Sequence, residues 1–203
     1  MPFDLAPLDR LRREQGYLTV GEVFGLIEAG NVILDPFSLL LGRHVRLGSQ
    51  NMFYPTVSIW CDEASEITIA DRNTFHTGTV LYAAPGRIVV GTGNELGERG
   101  FVAKANRPGA FIEIGDHGRY LGGATVYGIS RLGSGSQILG AISVENCTLT
   151  EGASYTDPDP DRRGAVLKGT GVARGLILRR GEVIQGNGVF THEAIKPQSF
   201  YHA

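Results

Sequence analysis

The stretch Leu47-Gly48-Ser49-Gln50-Asn51-Met52-Phe53-Tyr54-Pro55-Thr56-Val57-Ser58-Ile59 decides how this chain is read. Leu47, Phe53 and Ile59 stand at steps of six, and the first is followed by a small residue and a turn former. The same cycle returns in Ile69-Ala70-Asp71 with Phe75 and Leu81, and in Val90-Gly91-Thr92 with Leu96 and Val102. It returns again in Ile114-Gly115-Asp116 with Tyr120 and Val126, and in Leu132-Gly133-Ser134 with Ile138 and Val144. A period of six with three members per cycle is the hexapeptide signature of a parallel β-helix. Each cycle then forms three short strands around a triangular prism, and the recurring residue points inward. An α-helix does not fit, because every sixth position would drift around its axis. Ile67-Thr68-Ile69, Ile88-Val89-Val90 and Ile112-Glu113-Ile114 alternate like strands and carry β-branched residues.

Working outward, the coil starts at 47, 69, 90, 114 and 132 lie 22, 21, 24 and 18 residues apart. With the two inner steps held at six, the surplus falls after the third face, in Trp60–Thr68, Tyr82–Val89 and Ala103–Glu113. Insertions collected on one edge of a repeat protein commonly build its binding surface. A polar loop, Glu151–Gly164, interrupts the pattern; strand-like text resumes at Ala165–Leu167, Leu176–Leu178 and Val183–Ile184. Upstream, Leu5, Leu8 and Leu11 predict one short helix. Thr19-Val20-Gly21-Glu22 predicts a capping box opening a second, with Val23, Phe24, Leu26 and Ile27 as its apolar face and Gly30 just past its end. Terminal repeats need such a cover over their open core. The expected organisation is an all-β fold: a helical cap over 1–31, a parallel β-helix over 32–190 and an irregular tail over 191–203.

Composition agrees. The chain has 203 residues, 29 of them glycine and only 9 proline, a ratio that suits many tight turns in an ordered chain. Nineteen basic against 21 acidic residues leave a net charge of −2, without the basic excess of a general nucleic-acid binder. A 42% hydrophobic and 20% charged content excludes a disordered chain. Cys61 and Cys147 form no CxxC motif, and two isolated thiols suit a reducing compartment. No signal-like apolar stretch opens the chain, and no run approaches the ~18 apolar residues of a membrane span. The expectation is a soluble, cytoplasmic protein with neither nucleic acid nor membrane as partner.

One segment, His117-Gly118-Arg119-Tyr120-Leu121-Gly122-Gly123-Ala124-Thr125-Val126-Tyr127-Gly128, resembles the His-x-x-Tyr-Leu-Gly-x-Ala stretch of an acetyltransferase family. That family is the C-terminal module of the bacterial bifunctional N-acetylglucosamine-1-phosphate uridyltransferase/glucosamine-1-phosphate acetyltransferase. Leu26-Ile27-Glu28-Ala29-Gly30-Asn31-Val32-Ile33-Leu34-Asp35-Pro36 is similar to the family's entry into its first coil, so the resemblance spans residues 26–145. It implies a left-handed parallel β-helix, a homotrimer with active sites in clefts between subunits, acetyl-CoA as acyl donor, and an amino sugar or sugar nucleotide as acceptor. His117 takes the place of the general base, a role open to an imidazole near neutral pH. Tyr120 and Lys104 match the family's sugar-phosphate contacts, and Arg131 falls where the family has an acceptor-binding asparagine. Arg174, Arg179 and Arg180 are candidates for the phosphates of CoA. The family's phosphate-binding Arg-Pro-Gly is here Ala84-Pro85-Gly86, and its Asn-Tyr pair has no counterpart within 138–147.

Each assignment has a plainer counterpart. His117 also suits a solvated corner, Tyr120 a core column, Lys104, Asn106 and Arg107 a solvated basic loop, and the three C-terminal arginines an ordinary surface. Some left-handed β-helices hold zinc through a His pair five apart, but the residue five after His117 is Gly122. No metal is expected, since a catalytic zinc needs three converging ligands. The chemistry expected is acyl transfer to an amine. The alternative is a non-catalytic trimeric scaffold or ligand-binding module with a degenerate site.

Overall fold

A computed structural model describes residues 4–202, and these form a parallel β-helix closed at its start by two helices. Helix α1 (Ala6–Glu14) and helix α2 (Val20–Glu28) precede the first strand, Val32–Ile33. The predicted capping box opens α2. Thr19 Oγ1 accepts from Glu22 N, while the Glu22 carboxylate accepts from Thr19 N. Gly30 follows the helix at φ +91°. The apolar faces differ from expectation in two places. Phe24 is 47% exposed, and Val20 with Val23 supplies the buried side of α2. In α1 the buried side chain is Arg12, not Leu11. Its guanidinium donates to Phe37 O at 2.7 Å and Leu18 O at 3.3 Å, tying the helix to the first coil. Burial lowers its pKa, which the charges of Asp9 and Asp35 oppose.

Three faces repeat in chain order. Face 1 holds Met52–Phe53, Thr74–Phe75, Glu95–Leu96, Arg119–Leu121 and Gln137–Leu139; face 2 holds Ser58–Cys61, Thr79–Ala83, Phe101–Ala105, Ala124–Tyr127 and Ile142–Glu145. Face 3 is a seven-stranded sheet running from Val45–Leu47 to Ile177–Leu178. Strands pair in parallel with the equivalent strand one coil away, so each inward position builds a column. Ile33, Phe53, Phe75, Leu96, Tyr120, Ile138, Leu167 and Ile184 form the column of face 1, all of them buried. Phe53 and Phe75 stack within it at 5.0 Å between ring centres, worth ~0.5–1.5 kcal/mol beyond area burial. Beyond Gln137–Leu139, strands Val166–Arg174 and Glu182–Phe190 run unbroken across faces 1 and 2. Gly140, Gly169 and Gly186 stack at the bend, and a Cβ on Gly169 would collide with Gly186 O.

The column of face 2 corrects one sequence assignment. Leu81 pairs with Ala103, and Ala103 with Val126, so Val102 points outward. The step from Leu96 to the inward residue is seven because Gly97, Arg99 and Gly100 all take positive φ and lengthen that corner. The slip turns Phe101 inward, opposite Thr79 and Ala124 and 5.8 Å from the Tyr120 ring, where it supplies bulk that Ala103 lacks. Much of the length assigned to insertions is also strand: only 106–110 separate Phe101–Ala105 from Phe111–Ile114.

A second inner column runs up the corner before face 1. Asn51 N donates to Asn31 Oδ1, Asn73 N and Nδ2 to Asn51 Oδ1, and Asn94 N and Nδ2 to Asn73 Oδ1, at 2.9–3.1 Å. All four asparagines are buried. The ladder ends where Gly118 N donates to Asn94 Oδ1 at 2.8 Å. The tail folds back on the last coil: Lys196–Pro197 pairs antiparallel with Glu182–Val183, and Gln198 is buried with Nε2 donating to Gly164 O.

Candidate functional site

His117 occupies the corner between faces 3 and 1 and is exposed, with φ +55°. That backbone belongs to the fold: Gln50, Arg72, Gly93, His117 and Gly135 hold the same corner in successive coils, all at positive φ. A side chain here costs ~1–2 kcal/mol relative to glycine. Among the described residues the imidazole makes no hydrogen bond or ion pair. It shares a cavity of about 420 Å³ with Glu95, Arg119 and Tyr155. Arg119 Nε lies 3.2 Å from Glu95 Oε2, and the guanidinium sits 4.3 Å from the centre of the Tyr155 ring. His76 Nε2 approaches the other oxygen of Glu95 at 3.4 Å, its ring stacked on Tyr54 at 4.9 Å. The backbone donors at this corner are already committed: Gly93 N to Asp71 O, His117 N to Thr92 O and Gly118 N to Asn94 Oδ1. Arg119 is therefore the remaining charged donor beside His117.

Of the other sequence candidates, some gather near this corner and some do not. Tyr120 is a correction. It is fully buried in the column of face 1, with its hydroxyl 3.0 Å from Ser136 Oγ, so it offers nothing to a surface ligand. Burial pushes its phenol well above the usual range, against the opposing hydrogen bond of Ser136. Lys104 stands half-buried on the outer side of face 2, in register between Tyr82 and Tyr127. Loop 106–110 follows at the corner between faces 2 and 3, away from the His117 corner between faces 3 and 1. Arg131 lies exposed on face 3, its Nε 3.5 Å from Glu113. Arg174 lies on face 2, where Glu145 binds it at 3.4 Å and Arg107 at 2.6 Å. The hydrogen bond from Arg107, then the charges of both arginines, hold the Glu145 carboxyl below its ordinary range.

Arg179 and Arg180 are placed differently. They line a cleft of about 560 Å³ with Arg162, Ser134, Thr150 and Glu151, and among the described residues none of the three arginines has an ion-pair partner. This cleft continues the His117 corner. Asp116 N donates to Ser134 Oγ, Gly152 N to Ser134 O, and Thr150 N to Leu178 O, each one coil further along. Three coil spacings of ~4.8 Å put Arg179 and Arg180 ~14 Å from His117 along one edge, with Arg162 one coil nearer. Arg162 was missed because it sits in the aperiodic loop, where spacing carries no positional information. Tyr155 was missed for the same reason, and Glu95 because its outward position reads as ordinary strand surface.

Among the described residues no group of three His, Cys, Asp or Glu side chains could hold a metal ion. No helix there is long and apolar enough to cross a membrane. In comparisons with known proteins, no protein-family model and no curated sequence matches the chain.

Proposed function

We propose that this protein is a CoA-dependent acyltransferase that acts on an amino group of a sugar or sugar nucleotide, as the resemblance of its 117–128 segment to hexapeptide-repeat acetyltransferases suggests. The observation that carries the reading is a single edge of the β-helix with an unengaged imidazole at one end and three unpaired guanidiniums at the other. Arg162, Arg179 and Arg180 would hold the phosphates of CoA, and the pantetheine arm would run along the edge to His117. His117 would accept the proton of the attacking amine as the new C–N bond forms. Arg119 would face the developing oxyanion. His117 would then return the proton to the thiolate as the C–S bond breaks. A homotrimer would set a neighbouring prism against this edge and enclose the arm.

The test is incubation with acetyl-CoA and a panel of amino sugars, following release of the free thiol. The proposal expects release that falls ~10²–10⁴-fold in His117→Ala; no release above background, or an unchanged rate in the variant, sinks it.

A second reading, a non-catalytic trimeric scaffold, draws on the burial of Tyr120 and on the separation of Lys104 from His117. Thermal melting with millimolar CoA distinguishes the two. Any micromolar binder raises the melting temperature by mass action, and an unmoved transition favours the scaffold.

A further inference from the structure

Between face 1 and the folded-back tail lies a cavity of about 390 Å³, apart from the arginine cleft and further down the prism than His117. Its volume is in the range of small-molecule sites. Two observations say what it takes. Gln137 is 6% exposed and lines the cavity, yet among the described residues its side-chain amide has no hydrogen-bond partner. The amide faces the cavity and is not sealed in the core, so a ligand there meets a free donor and a free acceptor. Arg163 and Lys168 also line the cavity, and no carboxylate among the described residues does. Arg163 is held in place by its Nε donating to Asp157 O at 2.8 Å, which leaves the end of the guanidinium toward the cavity and His202. Tyr155 and Tyr201 supply aromatic walls, and Val166 with Val183 an apolar floor.

We infer that this cavity binds a small organic anion. Its carboxylate or phosphate meets Arg163 and Lys168, Gln137 donates to or accepts from a polar group beside it, and an apolar or aromatic body lies against Tyr155 and Tyr201. The site uses neither His117 nor the three arginines of the edge, so it stands whether or not the chain transfers acyl groups. Loop 151–164 and the tail thereby acquire a common purpose, since each contributes one wall to a pocket neither could form alone.

Isothermal titration of the full chain with benzoate and with phenylphosphate tests this, using benzamide as the neutral control and inorganic phosphate as the bodiless one. At least one of the two organic anions should saturate a single site per chain, at least tenfold tighter than benzamide and than inorganic phosphate. Lys168→Ala and Gln137→Leu should each weaken that binding at least fivefold, while His117→Asn leaves it unchanged. Should Gln137→Leu fail to fold, the exposed Lys168 still carries the test. Absence of saturable binding by either anion, equal binding of benzamide, or undiminished binding in Lys168→Ala overturns the inference.

Discussion

The Tyr120 hydroxyl lies 3.0 Å from Ser136 Oγ, at the coil where the asparagine ladder stops. Gly118 stands in the ladder position there, and a Cβ on it would collide with the Tyr120 hydroxyl. The tyrosine thus brings a polar atom to the place vacated by an amide, and Ser136 one coil on receives it. Both side chains are fully buried, so removing one leaves the other unpaired. Tyr120→Phe and Ser136→Ala should each cost about 1–2 kcal/mol in urea unfolding. The double variant should cost less than their sum.

The same burial sets an alkaline limit. Tyr120, Cys61 and Cys147 all have their pKa raised by burial. A group that keeps its proton longer in the fold than in the unfolded chain lends stability below its unfolded pKa and loses it as pH climbs. Stability should hold to about pH 8.5, decline as the two thiols begin to ionise in the unfolded chain, and decline further above about 10. Tyr120→Phe should remove the later part of that decline, as read from urea midpoints between pH 8 and 11.

Asn73 is the middle of the ladder. It accepts twice from Asn94 and donates to Asn51 and Ala70. Asn73→Ala leaves Asn94 N without an acceptor in the core, while Asn51 Oδ1 keeps the Asn73 backbone N–H and Asn94 Nδ2 keeps Gly115 O, at a cost of about 2 kcal/mol. An exposed corner change such as Arg72→Gly should leave stability level or raise it, because Arg72 holds φ +59°. Chemical denaturation of the two variants side by side checks the contrast.

His117→Gly separates the corner's backbone role from its chemistry. Glycine suits φ +55° and relieves ~1 kcal/mol of backbone cost, so the melting temperature should hold or rise. On the proposed acyltransferase reading, thiol release from acetyl-CoA should fall to the level expected of His117→Ala. A variant that melts lower would show that the imidazole braces the fold.

Gly169 tests the bend that joins faces 1 and 2. Its φ is +123° and its missing Cβ would strike Gly186 O, so Gly169→Ala should destabilise by about 3 kcal/mol. Gly186 has open space where its own Cβ would be and a φ that side chains accept; Gly186→Ala should be nearly neutral by the same melt.

The prism was legible because its inward columns repeat at the coil period; chain composition alone would not have shown it. The assignment slipped at Val102, where positive φ at Arg99 inserts a residue that hydrophobicity cannot count. The asparagine ladder was readable in Asn31-Val32-Ile33, Asn51-Met52-Phe53, Asn73-Thr74-Phe75 and Asn94-Glu95-Leu96, yet a search for apolar recurrence passes over amides. Arg12 escaped because a guanidinium on a helix face reads as solvent-facing until backbone carbonyls are seen to receive it. His117 is exposed at a corner, whereas Tyr120 and Lys104 share its motif or loop neighbourhood but not its surface. Adjacency in sequence around a three-sided coil divides residues among three directions.

Asn73 meets Asn51, and Asn94 meets Asn73, through an identical pair of bonds, which makes the coil between them an interchangeable unit. Duplicating residues 52–73 would insert one whole turn whose new asparagine finds the acceptor below and the donor above already waiting. The protein could therefore grow or shorten by integral turns in this segment while the distance from His117 to its arginines stayed fixed. Length and site are independent variables in this architecture.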